Sequence, residues 1–231
     1  MIYTIADLHL PLGIDKPMDI FGSRWENYVS RIYDNWQAVV GEDDTVVIPG
    51  DFSWATYLEE TMRDFEFLES LNGKKIILKG NHDYWWNTVS KTKKFFDENG
   101  INSIEILNNN CFFWEDYAIC GTRGWFYEEE KNGEHDAKIM RREIMRLETS
   151  LKAAGDRKKL VFLHYPPIFL SYRCEEIIEL LKKYEVRLCC YGHIHGKGCN
   201  VAFNGWSGGT EYKLVSADFV NFVPVKLIEQ T

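Results

Sequence analysis

The spacing of apolar residues along the chain alternates between short strand-like runs and longer helical stretches. IYTIA (2–6) is a short strand-like run at the start. From Arg24 to Val40, apolar residues fall at Trp25, Tyr28, Val29, Ile32, Tyr33, Trp36, Val39 and Val40. Those steps of three and four predict an amphipathic helix, and Ser23 with Glu26 three residues on resembles a capping box at its start. TVVIPG (45–50) predicts a second strand, and Leu58, Met62, Phe65, Leu68 and Leu71 mark a second helix. KKIILKG predicts a third strand, with a helix following to about Asn99. NNNCFFWEDYAICG predicts a hairpin turning at Glu115-Asp116. FYEEEKNGEHD (126–136) reads as a solvated acidic loop, and a helix from about Asp136 to Ala154 leads into the strand KLVFLHY. Ile177, Ile178, Leu181 and Tyr184 mark another helix, VRLCCYG another strand, and short β-like runs lie between Tyr212 and Ile228. With no repeat, low-complexity tract or linker, the pattern predicts one α/β domain over residues 1–231, a mixed sheet flanked by helices.

Composition narrows the function classes. At 45% hydrophobic and 15% aromatic residues, the chain can bury a large core. A formal charge of −8 argues against a surface built to neutralise long nucleic acid, which needs clustered Lys and Arg. A single phosphate remains within reach of a few cations or metals. None of the six cysteines forms a C-x-x-C pair, so a structural zinc ribbon is not expected, and several sit in apolar runs as small hydrophobes. The start MIYTIADLH has neither a basic nor an apolar leader region, and no apolar run approaches a bilayer span. Together these predict a cytoplasmic protein with no membrane partner.

The chemistry collects where strands end. IYTIA is followed by Asp7 and His9, TVVIPG by Asp51, and KKIILKG by Asn81, His82 and Asp83. KLVFL is followed by His164, and VRLCCYG by His193 and His195. Ligands of open α/β sheets bind outside the carboxyl ends of the strands, so these residues can converge. Taken singly, each has a plain structural reading. Asp7-x-His9 and Gly50-Asp51 suit turns, Asn81-His82-Asp83 could cap the next helix, and His164 could be a satisfied core histidine. Five of the six histidines nevertheless belong to the set, with only His135 outside. Imidazole and carboxylate donors without thiolate suit Mn, Fe or Zn. Their number exceeds one tetrahedral ion and suits two ions about 3.5–4 Å apart that share a carboxylate.

With these residues in view, the chain resembles the calcineurin-like metallophosphoesterases. The ordered blocks DLH, GDFSW, GNHD, HYPP and YGHIHG match the five motifs of that family and span Asp7 to Gly196. The resemblance implies a four-layer αββα sandwich with two mixed β-sheets flanked by helices. It implies that Asp7, His9 and His195 hold one metal, that Asn81, His164 and His193 hold a second, and that Asp51 bridges them. It places His82 near the leaving-group oxygen as general acid or transition-state stabiliser, with Asp83 orienting it. Two divalent ions are implied as cofactors, manganese first, with iron or zinc as alternatives. The implied reaction is phosphoester hydrolysis by direct attack of a metal-bridging hydroxide, without a phospho-enzyme.

The substrate expected is a small phosphomonoester or phosphodiester such as a nucleotide. A Ser/Thr-type protein phosphatase is the alternative, although KGNHD differs from the RGNHE typical of those enzymes. A non-catalytic scaffold would be expected to have lost motif residues, and none is missing. Trp54 and Tyr165 adjoin expected ligands, where a base or sugar could stack, while core packing is the plainer reading for most of the aromatics. Arg123 in GTRGW is a candidate phosphate clamp, weighed equally against a salt bridge to the acidic loop that follows. Lys16, Arg24 and Arg173 read as solvated. The short segments Leu10–Ser23, GDFSWATY, DYWW and GTRGWFYEEE are left to set specificity.

Overall fold

The computed structural model of the chain describes residues 1–16, 18–126 and 133–229. It divides into two compact units, Met1–Ile106 with Val215–Thr231, and Leu107–Leu214.

The first unit is built on a five-stranded sheet. Strands β1 (Ile2–Thr4), β2 (Thr45–Pro49), β3 (Lys74–Leu78) and β4 (Ile104–Ile106) lie side by side and parallel. The last strand of the chain, β13 (Val225–Ile228), pairs antiparallel with β1 at the opposite edge. Every residue of β2 and all but the first of β3 are buried, as expected for parallel strands covered on both faces. Helix α1 (Tyr28–Val39) buries Tyr28, Ile32 and Trp36, one residue per turn. Helix α2 (Met62–Glu69) seats Phe65 against Phe52, Trp85 and Phe96, with ring centroids 4.8, 5.3 and 4.8 Å away. Helix α3 (Val89–Asn99) is capped by the Thr88 hydroxyl, which accepts from the Lys91 N–H, and ends at Gly100 with φ 69°.

The second unit is built on six strands. A hairpin of β5 (Cys111–Trp114) and β6 (Tyr117–Thr122) forms one edge. Strands β6, β7 (Lys158–Leu163), β10 (Leu188–Tyr191) and β12 (Thr210–Leu214) run parallel, and β11 (Gly205–Ser207) returns antiparallel beside β12. A short ribbon, β8 (Ile168–Phe169) with β9 (Tyr172–Arg173), stands apart from this sheet. Helices α4 (Gly133–Ala153) and α5 (Glu175–Lys183) turn Met140, Leu147, Leu151, Ile177, Ile178 and Leu181 into the core. Gly121 is needed where β6 meets β7, because a Cβ there would lie 2.2 Å from the Phe162 carbonyl oxygen. The six cysteines are free thiols, five of them buried. Among the described residues no helix is long and apolar enough to cross a membrane.

Most predicted elements are present, and the differences have local causes. The strands form two mixed sheets, as the family resemblance implied and unlike the one sheet the apolar pattern alone suggested, since β4 pairs only with β3 and β5 only with β6. Helix α1 starts four residues later than its apolar spacing suggests. Ser23–Trp25 is a separate 3-10 turn, and Asn27 with φ 51° breaks the backbone before Tyr28. Trp25 leaves the helical stripe to pack edge-on against Tyr28 and Phe222, each at 5.2 Å, so Ser23 and Glu26 cap nothing in α1. Helix α4 begins at Gly133, ahead of Asp136, while residues 127–132 of the acidic loop lie outside the described residues.

Asp64 of α2 joins two loops of the first unit. Its fully buried carboxylate accepts the Leu12 N–H at 2.8 Å and the Ser53 hydroxyl at 2.5 Å. Burial pushes its pKa up to about 7, against three hydrogen bonds that favour the ionised form. A raised folded-state pKa means the native protein holds a proton that the unfolded chain has released. The contribution is therefore full below about pH 4 and is lost as pH rises through about 7. We expect the wild type to lose on the order of 2–4 kcal/mol between about pH 5 and pH 8 that Asp64→Asn does not lose. Urea unfolding at both pH values and fixed metal content measures this, and equal pH dependence in the two proteins would contradict it.

Candidate functional site

In both sheets three of the four parallel strands end in the residues that carry chemistry. In the first unit β1 runs out into Asp7 and His9, β2 into Asp51, and β3 into Asn81, His82 and Asp83. The chain beyond β1 stays laced to the chain beyond β2. Asp7 N–H donates to Gly50 O at 3.0 Å, His9 N–H to Asp51 O at 2.9 Å, and Leu10 N–H to Phe52 O at 3.0 Å. Asp7, His9 and Asp51 all adopt left-handed backbone, with φ of 60°, 46° and 50°. That conformation costs an ordinary residue about 1–2 kcal/mol and persists where the surroundings over-determine it. Here it turns three side chains from two adjacent strand ends to one place. All three are at most 2% exposed.

Ligand-capable atoms of Asp7 lie within 4.8 Å of His9 and of Asp51. His9 Nε2 lies 3.8 Å from Asp51 Oδ2, while Asp51 Oδ1 accepts the His82 N–H at 2.8 Å. Two buried carboxylates and an imidazole in such proximity, hard oxygen and borderline nitrogen without sulfur, fit a divalent ion of the Mn, Fe and Zn class. Tyr28 fixes the backbone of His9 by donating its hydroxyl to the His9 carbonyl at 2.6 Å. Sequence patterning placed Tyr28 only on a helix face, and nothing local to it announced this contact.

Asp83 makes contacts beyond the role expected of it. Its fully buried carboxylate receives five N–H donors: Oδ2 from Asp51 (2.9 Å) and Gly80 (2.7 Å), Oδ1 from Phe52 (3.0 Å), Ser53 (3.3 Å) and the Trp85 indole (3.0 Å). Both oxygens are engaged by these five donors, none of which is the His82 imidazole. Asp83 clamps the loop after β2 to the loop after β3. Burial and the Asp51 charge push its pKa up, against the amide donors. Gly80 is part of the same clamp, since a Cβ there would lie 2.0 Å from Asp51 Oδ1.

His82 is half-buried, and its ring lies 5.7 Å from that of His9. Trp54 fills the space beside both, stacked on His9 at 4.4 Å and tilted against His82 at 4.6 Å. It is 6% exposed, and Lys16 places its ammonium 3.7 Å from the indole centroid, so the ring is not the open platform for a base that its position in GDFSW suggested. Trp85 is buried and Trp86 packs beside it, both ahead of α3.

In the second unit β6 ends before Arg123, β7 before His164 and Tyr165, and β10 before His193 and His195. His164 and Tyr165 both donate their N–H to the Arg123 carbonyl, at 3.1 and 2.9 Å, and Gly192 N–H donates to His164 O at 3.1 Å. His164 is fully buried, and its ring lies 5.2 Å from His193, whose backbone is left-handed with φ 72°. Ile194 packs inward between the half-buried His193 and His195. Tyr165 contacts His193 at 4.5 Å and Trp125 at 5.5 Å, and the Arg123 guanidinium sits 5.0 Å over the Trp125 ring. Arg123 Nε is buried without a hydrogen-bond partner, and no carboxylate of the described residues pairs with this side chain.

The model of one protein family, described as calcineurin-like phosphoesterase, matches residues 1–197. The chain is 24% identical over 205 residues to a "Probable cyclic nucleotide phosphodiesterase" of Coxiella burnetii, covering 84% of this chain and 75% of that protein. It is 26% identical over 166 residues to a "Probable glycerophosphodiester phosphodiesterase" of Arcobacter nitrofigilis, covering 66% of this chain and just over half, 56%, of that protein. Among solved structures it is similar in fold to a protein of unknown function from Aquifex aeolicus (TM-score 0.53, 18% identity, 97% and 94% of the two chains). It is also similar in fold to a phosphopantetheinyl hydrolase of Mycobacterium tuberculosis (TM-score 0.57, 15% identity, 93% and 88%).

The clamp yields a test that separates its role from the one first expected. Asp83→Asn keeps the volume but turns an amide NH₂ onto two or three N–H donors, so we expect a loss of about 2–4 kcal/mol in urea unfolding. A partner for His82 alone would leave stability within about 0.5 kcal/mol of wild type.

Proposed function

The chain belongs to the calcineurin-like phosphoesterase family, and on that premise we propose that it is a metal-dependent hydrolase of small phosphodiesters. The observation that carries the reading is the gathering of Asp7, His9 and Asp51, buried and left-handed, at the ends of two adjacent parallel strands. The ligand assignment proposed is Asp7, His9 and His195 for one ion, Asn81, His164 and His193 for the other, and Asp51 for both. Manganese is the first candidate, with iron or zinc able to use the same nitrogen and oxygen donors. When bound, two such ions supply Lewis-acid polarisation of the phosphoryl group and activation of the attacking water.

The rest of the reaction falls to the chain's own side chains. Water oxygen forms a bond to phosphorus as the bond to the leaving oxygen breaks, with no covalent link to the protein. His82, held by its N–H to Asp51 and flanked by Trp54 and His9, gives a proton to the departing alkoxide. Arg123, with its unpaired Nε, offers a cation to the non-bridging phosphoryl oxygens. Tyr165, lying between Trp125 and His193, offers a ring to the non-leaving group. The printed names of two relatives favour diesters over monoesters, and the acidic surface favours small substrates over long nucleic acid.

Protein stripped of metal and reloaded with Mn²⁺ should cleave bis-p-nitrophenyl phosphate faster than p-nitrophenyl phosphate, with no turnover before reloading. Faster cleavage of the monoester would overturn the diester assignment. Replacing His82 by Ala should lower turnover by about 10²–10⁴ for a glycerophosphodiester, whose alkoxide needs a proton, and by clearly less for a nitrophenyl diester. Equal losses on both substrates would remove His82 from the proton transfer.

A further inference from the structure

The Trp54 indole carries one polar atom, and that atom has no use inside the protein. Nε1–H is buried and donates to no acceptor, although Trp54 is only 6% exposed. Buried donors are nearly always satisfied, and an exception points to a partner supplied from outside. The same ring touches both imidazoles of the first unit, His9 at 4.4 Å and His82 at 4.6 Å. It therefore stands where the departing side of a substrate would lie in the reaction proposed above.

A second observation concerns charge. Lys16 is exposed, and its ammonium lies 3.7 Å from the centroid of the Trp54 ring. Among the described residues no carboxylate pairs with it. The loop that brings it there is anchored a few residues earlier, where Leu12 N–H donates to the buried Asp64 and Gly13 lies against the Glu60 carbonyl so closely that a Cβ would fall 1.7 Å from that oxygen. A lysine with no paired carboxylate among the described residues, held on a tryptophan by cation–π attraction beside an idle N–H donor, makes a two-point receptor for an anion. Neither residue is offered as a metal ligand.

We propose that Lys16 and Trp54 Nε1 form a subsite for an anionic group on the leaving alcohol of the substrate. This deepens the phosphodiesterase reading and rests on it. The substrate class it names is a diester whose departing half bears a further phosphate or carboxylate. The ammonium supplies the charge and the indole N–H supplies direction, next to the histidine that protonates the leaving oxygen. Lys16 and Trp54 are thus specificity-determining residues, and a neutral leaving group uses neither.

Three probes that differ only in the group at one ring position test this: 3-hydroxyphenylphosphonate, 3-hydroxybenzoate and 3-hydroxybenzamide. Each is titrated into zinc-loaded, ¹⁵N-labelled protein while the Trp54 indole N–H resonance, identified by its loss in Trp54→Phe, is followed. The two anions should move that resonance downfield and saturate, and the amide should not. Lys16→Met should weaken anion binding at least tenfold. Tighter binding of the phosphonate than of the benzoate identifies a phosphate as the natural group, and the reverse order a carboxylate. No downfield shift, or equal affinity in Lys16→Met, overturns the subsite. Turnover of the corresponding methyl aryl phosphate diesters in Mn²⁺-loaded protein adds a second readout. The ratio of kcat/KM for charged over amide leaving groups should exceed ten in wild type and fall towards one in Lys16→Met and partway in Trp54→Phe. A wild-type ratio of one overturns the subsite. If none of these diesters is cleaved while the resonance shift persists, the phosphodiesterase reading fails and anion binding stands.

Discussion

Five N–H groups converge on the carboxylate of Asp83, and the first unit depends on that convergence. The loops after β2 and β3 are both irregular, and their backbone donors would be left unsatisfied in a dry interior. A buried orphan amide costs about 1–3 kcal/mol, and hydrogen bonds to a charged acceptor are the stronger kind. One carboxylate thus satisfies four amides and an indole at once, at the cost of its own desolvation. The geometric consequence is larger than the energetic one. Asp51 is held by its own N–H, Gly80 is pressed against its Oδ1, and His82 donates to that same oxygen. The residue expected beside His82 also sets the position of the neighbouring Asp51 carboxylate.

The two sheets share a plan of four parallel strands, with an antiparallel neighbour at one edge of the first and at both edges of the second. Parallel strands buried on both faces have no room for polar side chains, so polar residues accumulate where the strands stop. The turns there require left-handed backbone at Asp7, His9, Asp51 and His193, positions where glycine would be the easier residue. Keeping a bulky or charged side chain in that conformation makes sense when the side chain itself is needed, and the stacking of His9, Trp54 and His82 packs that need into a dense aromatic wall.

Much of this was legible in the sequence because it depended on local pattern. Apolar runs ending in DLH, GDFSW, GNHD, HYPP and YGHIHG gave the strand ends and the residues on them, and periodicity gave α2, α3 and α5. What escaped depended on distant contacts. The break at Asn27 follows from Trp25 turning to meet Phe222, nearly two hundred residues away in the chain. The sorting of strands into two sheets is set by pairing partners, which period-two patterns do not encode, and only the family motifs implied it. The clamp at Asp83 joins residues about thirty apart, and the seat of Lys16 on Trp54 joins a loop to a strand end. The clustering of Asp, Asn and His at strand ends was readable in the sequence, whereas the contacts that fix their backbones needed coordinates.

The central claim is that Asp51 is shared by two ions held in one chain. Manganese titration of metal-stripped protein, followed by electron paramagnetic resonance with the bound metal counted in the same samples, tests it most directly. The account predicts two ions per chain and a spin-coupled multiline spectrum that Asp51→Asn abolishes. One ion per chain with an isolated six-line spectrum, or two uncoupled ions unaffected by Asp51→Asn, would contradict it.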